Sequence, residues 1–188
     1  MAPVGSFESL AAAVHAEADS VYFGIEQLNM RAKSSNNFSI EDLKEIIRIC
    51  KENTIRSYLT VNTIIYDHDV RLMKQILDIA KQSGVSAIIA SDQAVMNYAN
   101  SIGLEVHIST QMNVSNIETV KFYANFADVM VLARELSLKQ VKHITETIEK
   151  EQIKGPSGKL IQIEIFVHGA LCMAISGKCY LSLHEQNS

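Results

Sequence analysis

The sequence predicts an α/β fold in which short buried strands alternate with amphipathic helices. Three observations predict it: mostly apolar runs recur along the chain, longer segments with helical periodicity separate them, and capping residues mark several helix starts. The spacing between strands varies from roughly 18 to 37 residues, as in ordinary βα units. The pattern therefore describes a strand–helix unit that is repeated about six times.

The predicted strands are mostly apolar rather than alternating, which is typical of strands covered on both faces in a parallel sheet. They are Val21–Gly24, Arg56–Asn62, Ser86–Ala90, Glu105–Ile108, Asp128–Leu132 and Ile161–Val167. Met1–Gly5 is interpreted as the tail of a first strand whose apolar beginning is missing. A turn over Lys154–Lys159, containing glycine and proline, precedes the last strand.

Helices are predicted where apolar residues recur at i, i+3, i+4 and i+7. Two such sets are Leu43, Ile46, Ile47 and Cys50, and Val70, Met73, Ile76, Leu77 and Ala80. Cys50 is therefore interpreted as a small buried hydrophobic residue. Capping boxes are predicted at Ser115–Glu118 and Ser137–Gln140, simple N-caps at Ser6, Ser39 and Asp92, and left-handed helix stops at Gly84 and Gly103.

Repeated βα units fit either a closed barrel or an open doubly wound sheet. The sequence lacks a glycine-rich dinucleotide fingerprint after its first strand, and Gly5 alone is a weak phosphate signal. We therefore favour the barrel. The predicted fold class is α/β, TIM-barrel-like, and incomplete at both ends. Residues 1–188 are expected to form a single βα-barrel domain that is a truncated fragment of a longer chain.

Composition limits the classes of function. The chain has 188 residues, of which 47% are hydrophobic and 20% are charged, and its formal net charge is −4. This balance predicts no overall attraction to nucleic acid or to an anionic membrane. There is no signal-peptide pattern and no apolar run long enough to span a membrane. Three unevenly spaced cysteines do not indicate a disulfide framework, so we expect a cytoplasmic location.

In a βα barrel the site lies at the carboxyl ends of the strands. Polar residues at or near the predicted strand ends are Asn29, Arg31, Asn62, Asp92, His107, Thr110, Gln111, Arg134, Glu135, Glu164 and His168. Simpler interpretations exist for some of them. Asp92 is first a helix cap, Asn62 is also explained as a strand end, and Arg134 with Glu135 as a surface ion pair of little consequence.

The segment from Glu164 to Cys179 differs from the others. The last predicted strand delivers His168 to the rim, Cys172 and Cys179 follow seven residues apart, and Gly177 relaxes the turn before the second cysteine. Two thiols suit a metal or a cluster, yet zinc and iron–sulfur sites usually take four ligands. From spacing alone, two unrelated thiols are favoured over a cluster. The chain shows neither the Ser-His-Asp order of the serine hydrolases nor the helix motif of the zinc proteases.

Glu164–Cys172, followed by Ser176–Cys179, closely resembles the signature of the collagenase-like peptidases (peptidase family U32). Supporting stretches are Ala2–Gly5, Ala18–Gly24, Ser109–Gln111 and Leu132–Leu136. The family was named for collagen-degrading peptidases. Other members hydroxylate a pyrimidine of tRNA or rRNA, or a quinone precursor, without molecular oxygen. The resemblance therefore implies either activity, and it covers the chain from end to end.

The resemblance also implies a cofactor and a site. The hydroxylases resemble iron–sulfur proteins in which four cysteines hold a [4Fe–4S] cluster, and the RNA-modifying members are linked to prephenate as the hydroxyl source. Cys172 and Cys179 would be the first two ligands, with the other two beyond Ser188. His168 and Arg134 would act at the reaction centre. Asn62, Gln111 and Arg31 would bind the substrate. The planar fork of an arginine suits a carboxylate.

Three hypotheses follow for the full-length protein. The first is an iron–sulfur-dependent hydroxylase that acts on tRNA or rRNA. The second is a peptidase, a hydrolase acting on protein substrates. The third is a scaffold or RNA-binding segment without catalysis, which the acidic charge disfavours because nonspecific RNA affinity comes mainly from phosphate neutralisation. The absence of a protease constellation favours the hydroxylase.

Overall fold

The computed structural model describes residues 1–25, 28, 38–169 and 172–178. They fold into two compact units, Met1–Glu105 and Val106–Ser188. Each unit has its own parallel strands and its own helices. In the described ranges, no helix combines the length and the apolar character needed to cross a membrane.

The first unit alternates strands and helices from its first residues. Its strands are β1 Ala2–Pro3, β2 Ser20–Gly24, β3 Arg56–Val61 and β4 Ala87–Ala90, and its helices are α1 Phe7–His15, α2 Ile40–Glu52, α3 Val70–Ser83 and α4 Gln93–Ser101. The strands pair in parallel and in chain order. Phe23, Leu59 and Ile88 on β2, β3 and β4 are at most 1% exposed, so the apolar runs of the sequence form the core.

Three helix starts and one helix end of the first unit lie where the sequence indicates. Ser6 and Ser39 accept hydrogen bonds from the backbone three residues later, and both form complete capping boxes. Asp92 caps α4. Helix α3 ends at Gly84, whose φ of +81° requires the left-handed conformation that glycine adopts readily. These predicted caps are confirmed, and the predicted apolar face of α2 is buried.

The second unit continues the same alternation. It contains the strands β5 Val106–Ile108, β6 Val129–Val131 and β7 Gln162–Glu164, the helices α5 Ile117–Tyr123 and α6 Leu138–Glu151, and a 3₁₀ turn over Thr110–Met112. β5 pairs with β6, and β6 with β7, in parallel. The predicted turn before β7 is present, closed by a bridge between Lys154 and Leu160.

One predicted helix start in this unit is wrong by one residue. The capping box at Ser115–Glu118 does not form, because Asn116 is the N-cap of α5 and accepts from the backbone of Thr119. Asparagine is as good a cap as serine, so the sequence alone left the boundary open by one residue. The capping box at Ser137 is confirmed.

The last strand is shorter than predicted. It ends at Glu164 rather than at Val167, and residues 165–167 are exposed. The N–H of Leu132, just past β6, still donates to the carbonyl oxygen of Glu164, but the N–H of Arg134, the next one on that side, donates to Oγ of Ser176 instead. An apolar run continues as a strand only where a partner strand supplies backbone hydrogen bonds.

The fold class is the predicted one: α/β, built from βα units of the TIM-barrel-like type. Within each unit, strands that follow one another in the chain are neighbours in the sheet. That 1–188 form a single domain stays a prediction.

Cys50 gives a direct test of the packing of α2. Its side chain is fully buried, and burial raises the pKa of its thiol to about 11. At pH 8 we expect alkylation by iodoacetamide to be slower, on the order of 100-fold, than for an exposed thiol, because only the thiolate reacts. The rate is measured in a Cys172→Ser/Cys179→Ser variant, before and after unfolding in guanidinium. Equal rates in the two states would contradict a buried Cys50.

Candidate functional site

Polar side chains converge at the carboxyl ends of the strands in the second unit. The 3₁₀ turn after β5 carries Gln111, and Asn113 ends it. Arg134 and Glu135 follow β6. Residues 172–178, which come after β7, are called the Ser176 loop below. Loops at this end of parallel strands build the sites of βα folds.

Ser176 fixes its loop to the strand ends. It is 0% exposed. Its Oγ donates to Oε2 of Glu135 at 3.1 Å, and its backbone N–H donates to Oε1 of the same carboxylate. Its carbonyl oxygen accepts from Nδ2 of Asn113 at 2.8 Å, and its Oγ accepts from the backbone N–H of Arg134 at 3.2 Å. The loop is therefore held by residues from two different βα connections.

The surroundings of the Glu135 carboxylate lower its pKa. Burial acts to raise its pKa, but the hydrogen bonds from Ser176 and the positive charge of Arg134 outweigh that effect and hold the pKa below its ordinary value. Glu135 is therefore ionised at neutral pH, and a charged acceptor binds N–H and O–H donors more strongly than a neutral one.

Gly177 brings the loop into backbone contact with the 3₁₀ turn. Its φ is +75°, a conformation that residues with a Cβ rarely adopt. A Cβ added here would lie 2.9 Å from the carbonyl carbon of Gln111 and would overlap its oxygen. Both the backbone conformation and the close approach therefore require glycine, as expected from the predicted turn before Cys179.

A second group of polar atoms lies on β5, on β7 and in the turn after β5. His107 is 2% exposed, and its Nδ1 lies 3.8 Å from Oε1 of Glu164, too far for a hydrogen bond. Oε2 of Glu164 and Oγ1 of Thr110 are buried and have no hydrogen-bond partner among the described residues. Buried polar atoms are usually paired, so these two oxygens are exceptions among the described residues.

Asn62 and Asp92 lie in the first unit. Asn62 directly follows β3 and is half-buried. Asp92 uses both carboxylate oxygens: Oδ1 accepts from the backbone of Ala94 at 2.8 Å, and Oδ2 from that of Ile65 at 3.1 Å. The interpretation of Asp92 as a helix cap is confirmed, and the same side chain also holds the loop after β3.

The other predicted site residues are distributed as follows. Arg134 and Gln111 both contact the Ser176 loop. His168 is exposed, four residues beyond the end of β7. Cys172 is exposed, with its Sγ 3.9 Å from the carbonyl oxygen of Ala174. Arg31 and Cys179, like Asn29, lie outside the described residues. The roles assigned to these residues stay predictions.

From the sequence, Ser176 and Asn113 have no predicted role, and a surface ion pair of little consequence is the simpler interpretation of Arg134 and Glu135. The Glu135 carboxylate does more than that, because it accepts hydrogen bonds from the buried backbone N–H and the hydroxyl of Ser176. The two residues lie 41 positions apart. The sequence signal that was available is the adjacent Ser176–Gly177 pair, which is typical of a tight turn.

The Cys172 thiol suits an iron–sulfur cluster, because such clusters are held by thiolates. It is exposed, and its loop is anchored four residues later by Ser176, so the ligand would be presented from a fixed support. No group of three or more His, Cys, Asp or Glu within the described part of the chain could hold a metal ion. The described residues therefore fit one ligand of a cluster, with Cys179 as the predicted second.

The model of peptidase family U32 matches residues 5–188. The chain is 63% identical over 188 residues to a collagenase of Porphyromonas gingivalis, covering 100% of this chain and 45% of that protein. It is 32% identical over 187 residues to tRNA hydroxylation protein P1 of Bacillus subtilis, covering 98% of this chain and 42% of that one. The chain thus spans less than half the length of these relatives.

A solved structure of a U32 peptidase is also similar to this chain. The TM-score is 0.64 at 16% sequence identity, and the match covers 77% of this chain and 63% of that one. At this level of identity the likeness shows the fold alone.

Proposed function

Because the chain belongs to peptidase family U32, we propose that the full-length protein is an iron–sulfur-dependent hydroxylase that modifies a pyrimidine of tRNA or rRNA without molecular oxygen. The observation that carries the proposal is the Ser176 loop. It presents an exposed cysteine thiol beside the carboxyl ends of parallel strands, where enzymes of βα folds bind their substrates. Similarity to a tRNA hydroxylation protein supports the substrate class.

Cys172 and Cys179 would be two ligands of a [4Fe–4S] cluster, with two more from beyond Ser188. When bound, such a cluster supplies one-electron chemistry. The chain's own contribution is the support. Glu135 and Asn113 fix Ser176, and the fixed loop orients the thiol of Cys172.

Arg134 is suited to a carboxylate co-substrate such as prephenate. Its Nε donates to Oγ of Ser176 at 3.4 Å, which restrains the guanidinium. The Nη atoms make no hydrogen bond to any described residue, so the planar fork is available to two carboxylate oxygens. We assign His168 and Arg134 to the reaction centre, and Asn62, Gln111 and Arg31 to substrate binding. A cytoplasmic location goes with an RNA substrate.

The test uses the full-length protein, purified without oxygen. We expect iron and sulfide in the wild type, and RNA nucleosides that gain one oxygen atom when prephenate is supplied. Cys172→Ser should lose both the iron and the product, because a cluster needs its thiolate ligands. Cys50→Ala is the matched control, since Cys50 is buried in α2, and it should keep both. A wild type that folds without iron would reject the cluster.

A peptidase is the second candidate, favoured by the 63% identity with a collagenase. On this hypothesis the purified protein cleaves gelatin, and Cys172→Ser abolishes cleavage whether or not iron is bound. Cleavage that survives in the iron-free wild type, together with no modified nucleoside, would establish this candidate over the hydroxylase.

A further inference from the structure

Two unsatisfied oxygens in the second unit have no structural explanation among the described residues. Oε2 of Glu164 and Oγ1 of Thr110 are buried from solvent and make no hydrogen bond. The neighbouring His107 does not satisfy Glu164, because Nδ1 and Oε1 are 3.8 Å apart. Leaving such atoms unpaired costs free energy, so their persistence in a fold points to a partner supplied from outside.

The position of Glu164 allows a ligand to reach it. Its side chain is 28% exposed, and the terminal torsion of a glutamate is soft, so either carboxylate oxygen can turn towards a bound molecule. Glu164 ends β7 and Thr110 begins the turn after β5. Both therefore lie at the carboxyl ends of parallel strands, where βα folds bind ligands.

The chemistry of the two groups defines the ligand. An ionised carboxylate only accepts hydrogen bonds, so the ligand must offer an N–H or an O–H. A hydroxyl can donate, so a carbonyl oxygen or ring nitrogen beside that N–H is matched as well. A negatively charged ligand is repelled by Glu164. The ligand preferred at Glu164 and Thr110 therefore differs from the ligand preferred at Arg134, whose guanidinium suits a carboxylate.

We propose that Glu164 and Thr110 bind the hydrogen-bonding edge of the target pyrimidine, with His107 next to Glu164. The proposal rests on the proposed function and adds to it the residues that recognise the base. Uracil presents N3–H between two carbonyl oxygens, and cytosine presents an amino group beside N3. In both edges an N–H donor, which Glu164 can bind, lies next to an acceptor to which the Thr110 hydroxyl can donate.

The test measures equilibrium binding of nucleosides to the iron-free full-length protein, so that it does not depend on turnover. Uridine is compared with 3-methyluridine, and cytidine with N4,N4-dimethylcytidine, because methylation removes the donor. At least one natural nucleoside should bind about tenfold or more tightly than its methylated form, since a site built for a hydrogen bond rejects the analogue that lacks it.

Substitutions locate the effect. Glu164→Met keeps a side chain of similar length without an acceptor, and it should abolish the preference for the natural nucleoside. Thr110→Val should weaken it, whereas Thr145→Val, at a half-buried threonine on α6, should leave it unchanged. In the wild type, the carbon-13 NMR signal of the Glu164 carboxyl should shift when the nucleoside is added. This measurement does not depend on whether a variant folds.

The possible outcomes separate this inference from the proposed function. No discrimination by the wild type, or full discrimination by Glu164→Met, overturns the base-binding assignment even if the protein hydroxylates RNA. Binding of a gelatin peptide at Glu164, without any nucleoside binding, also overturns it. Nucleoside discrimination without hydroxylation would support the inference while rejecting the proposed reaction.

Discussion

Replacing Gly177 by alanine should release the Ser176 loop from the strand ends. The added Cβ would overlap the Gln111 carbonyl oxygen, and the backbone at φ +75° would itself be strained by about 1–2 kcal/mol. The loop can relieve the overlap only by moving away, which breaks the hydrogen bonds of Ser176. We expect hydrogen exchange of the Ser176 amide to accelerate by at least about tenfold, measured by NMR.

Gly158→Ala is the matched control for this variant. Gly158 has nearly the same backbone conformation, with φ +77°, but an added Cβ there would meet no atom within 4 Å. The control therefore carries the strain without the overlap. If both variants exchange the Ser176 amide equally fast, the contact between Gly177 and Gln111 does not hold the loop.

Removing the Glu135 carboxylate should have an effect of similar size. In Glu135→Ala the buried N–H of Ser176 loses its acceptor, and an unsatisfied buried donor costs about 1–3 kcal/mol. We expect exchange of the Ser176 amide to rise by roughly 5- to 150-fold, converted at 1.4 kcal/mol per factor of ten. Glu146→Ala, at an exposed glutamate that pairs with Lys142, should leave this exchange unchanged.

The same bond predicts a pH dependence. The pKa of Glu135 is lowered in the folded protein, so its contribution to loop docking is complete above the ordinary glutamate pKa of about 4.3. The contribution is lost as pH falls through the lower folded value. The chemical shift of the Ser176 amide should therefore titrate with a midpoint below about 4.3 in the wild type, and should not titrate in Glu135→Gln. A midpoint above that value would contradict the proposed cause.

Much of the fold follows from local rules. Ser39 and Ser137 cap their helices because the partner donor lies three residues away, and Cys50 is buried because its helix repeats apolar residues on one face. Where two local solutions compete, as at Ser115 and Asn116, the sequence does not decide. The end of β7 depends on its neighbouring strand, because the pairing between β6 and β7 ends at Val131 and Glu164.

The candidate site was predictable only in part. Its location at the strand ends follows from the βα pattern, which also predicts that Arg134 and Gln111 lie there; their contacts with the Ser176 loop agree with that position, and their roles stay predictions. The anchor of the loop was not, because the bond between Glu135 and Ser176 joins residues 41 positions apart, and no periodicity reports such a pair. The unsatisfied oxygens of Glu164 and Thr110 were equally hidden, since a sequence shows which atoms are polar but not which lack a partner.

The double use of Asp92 has a consequence for local unfolding in the first unit. One carboxylate oxygen caps helix α4, and the other holds the backbone of Ile65 in the loop after β3. Transient opening of the loop therefore frees the side chain that stabilises the helix, and fraying of the helix start weakens the loop. The two segments should open as one cooperative step with a shared free energy, although 27 positions separate the bonded residues.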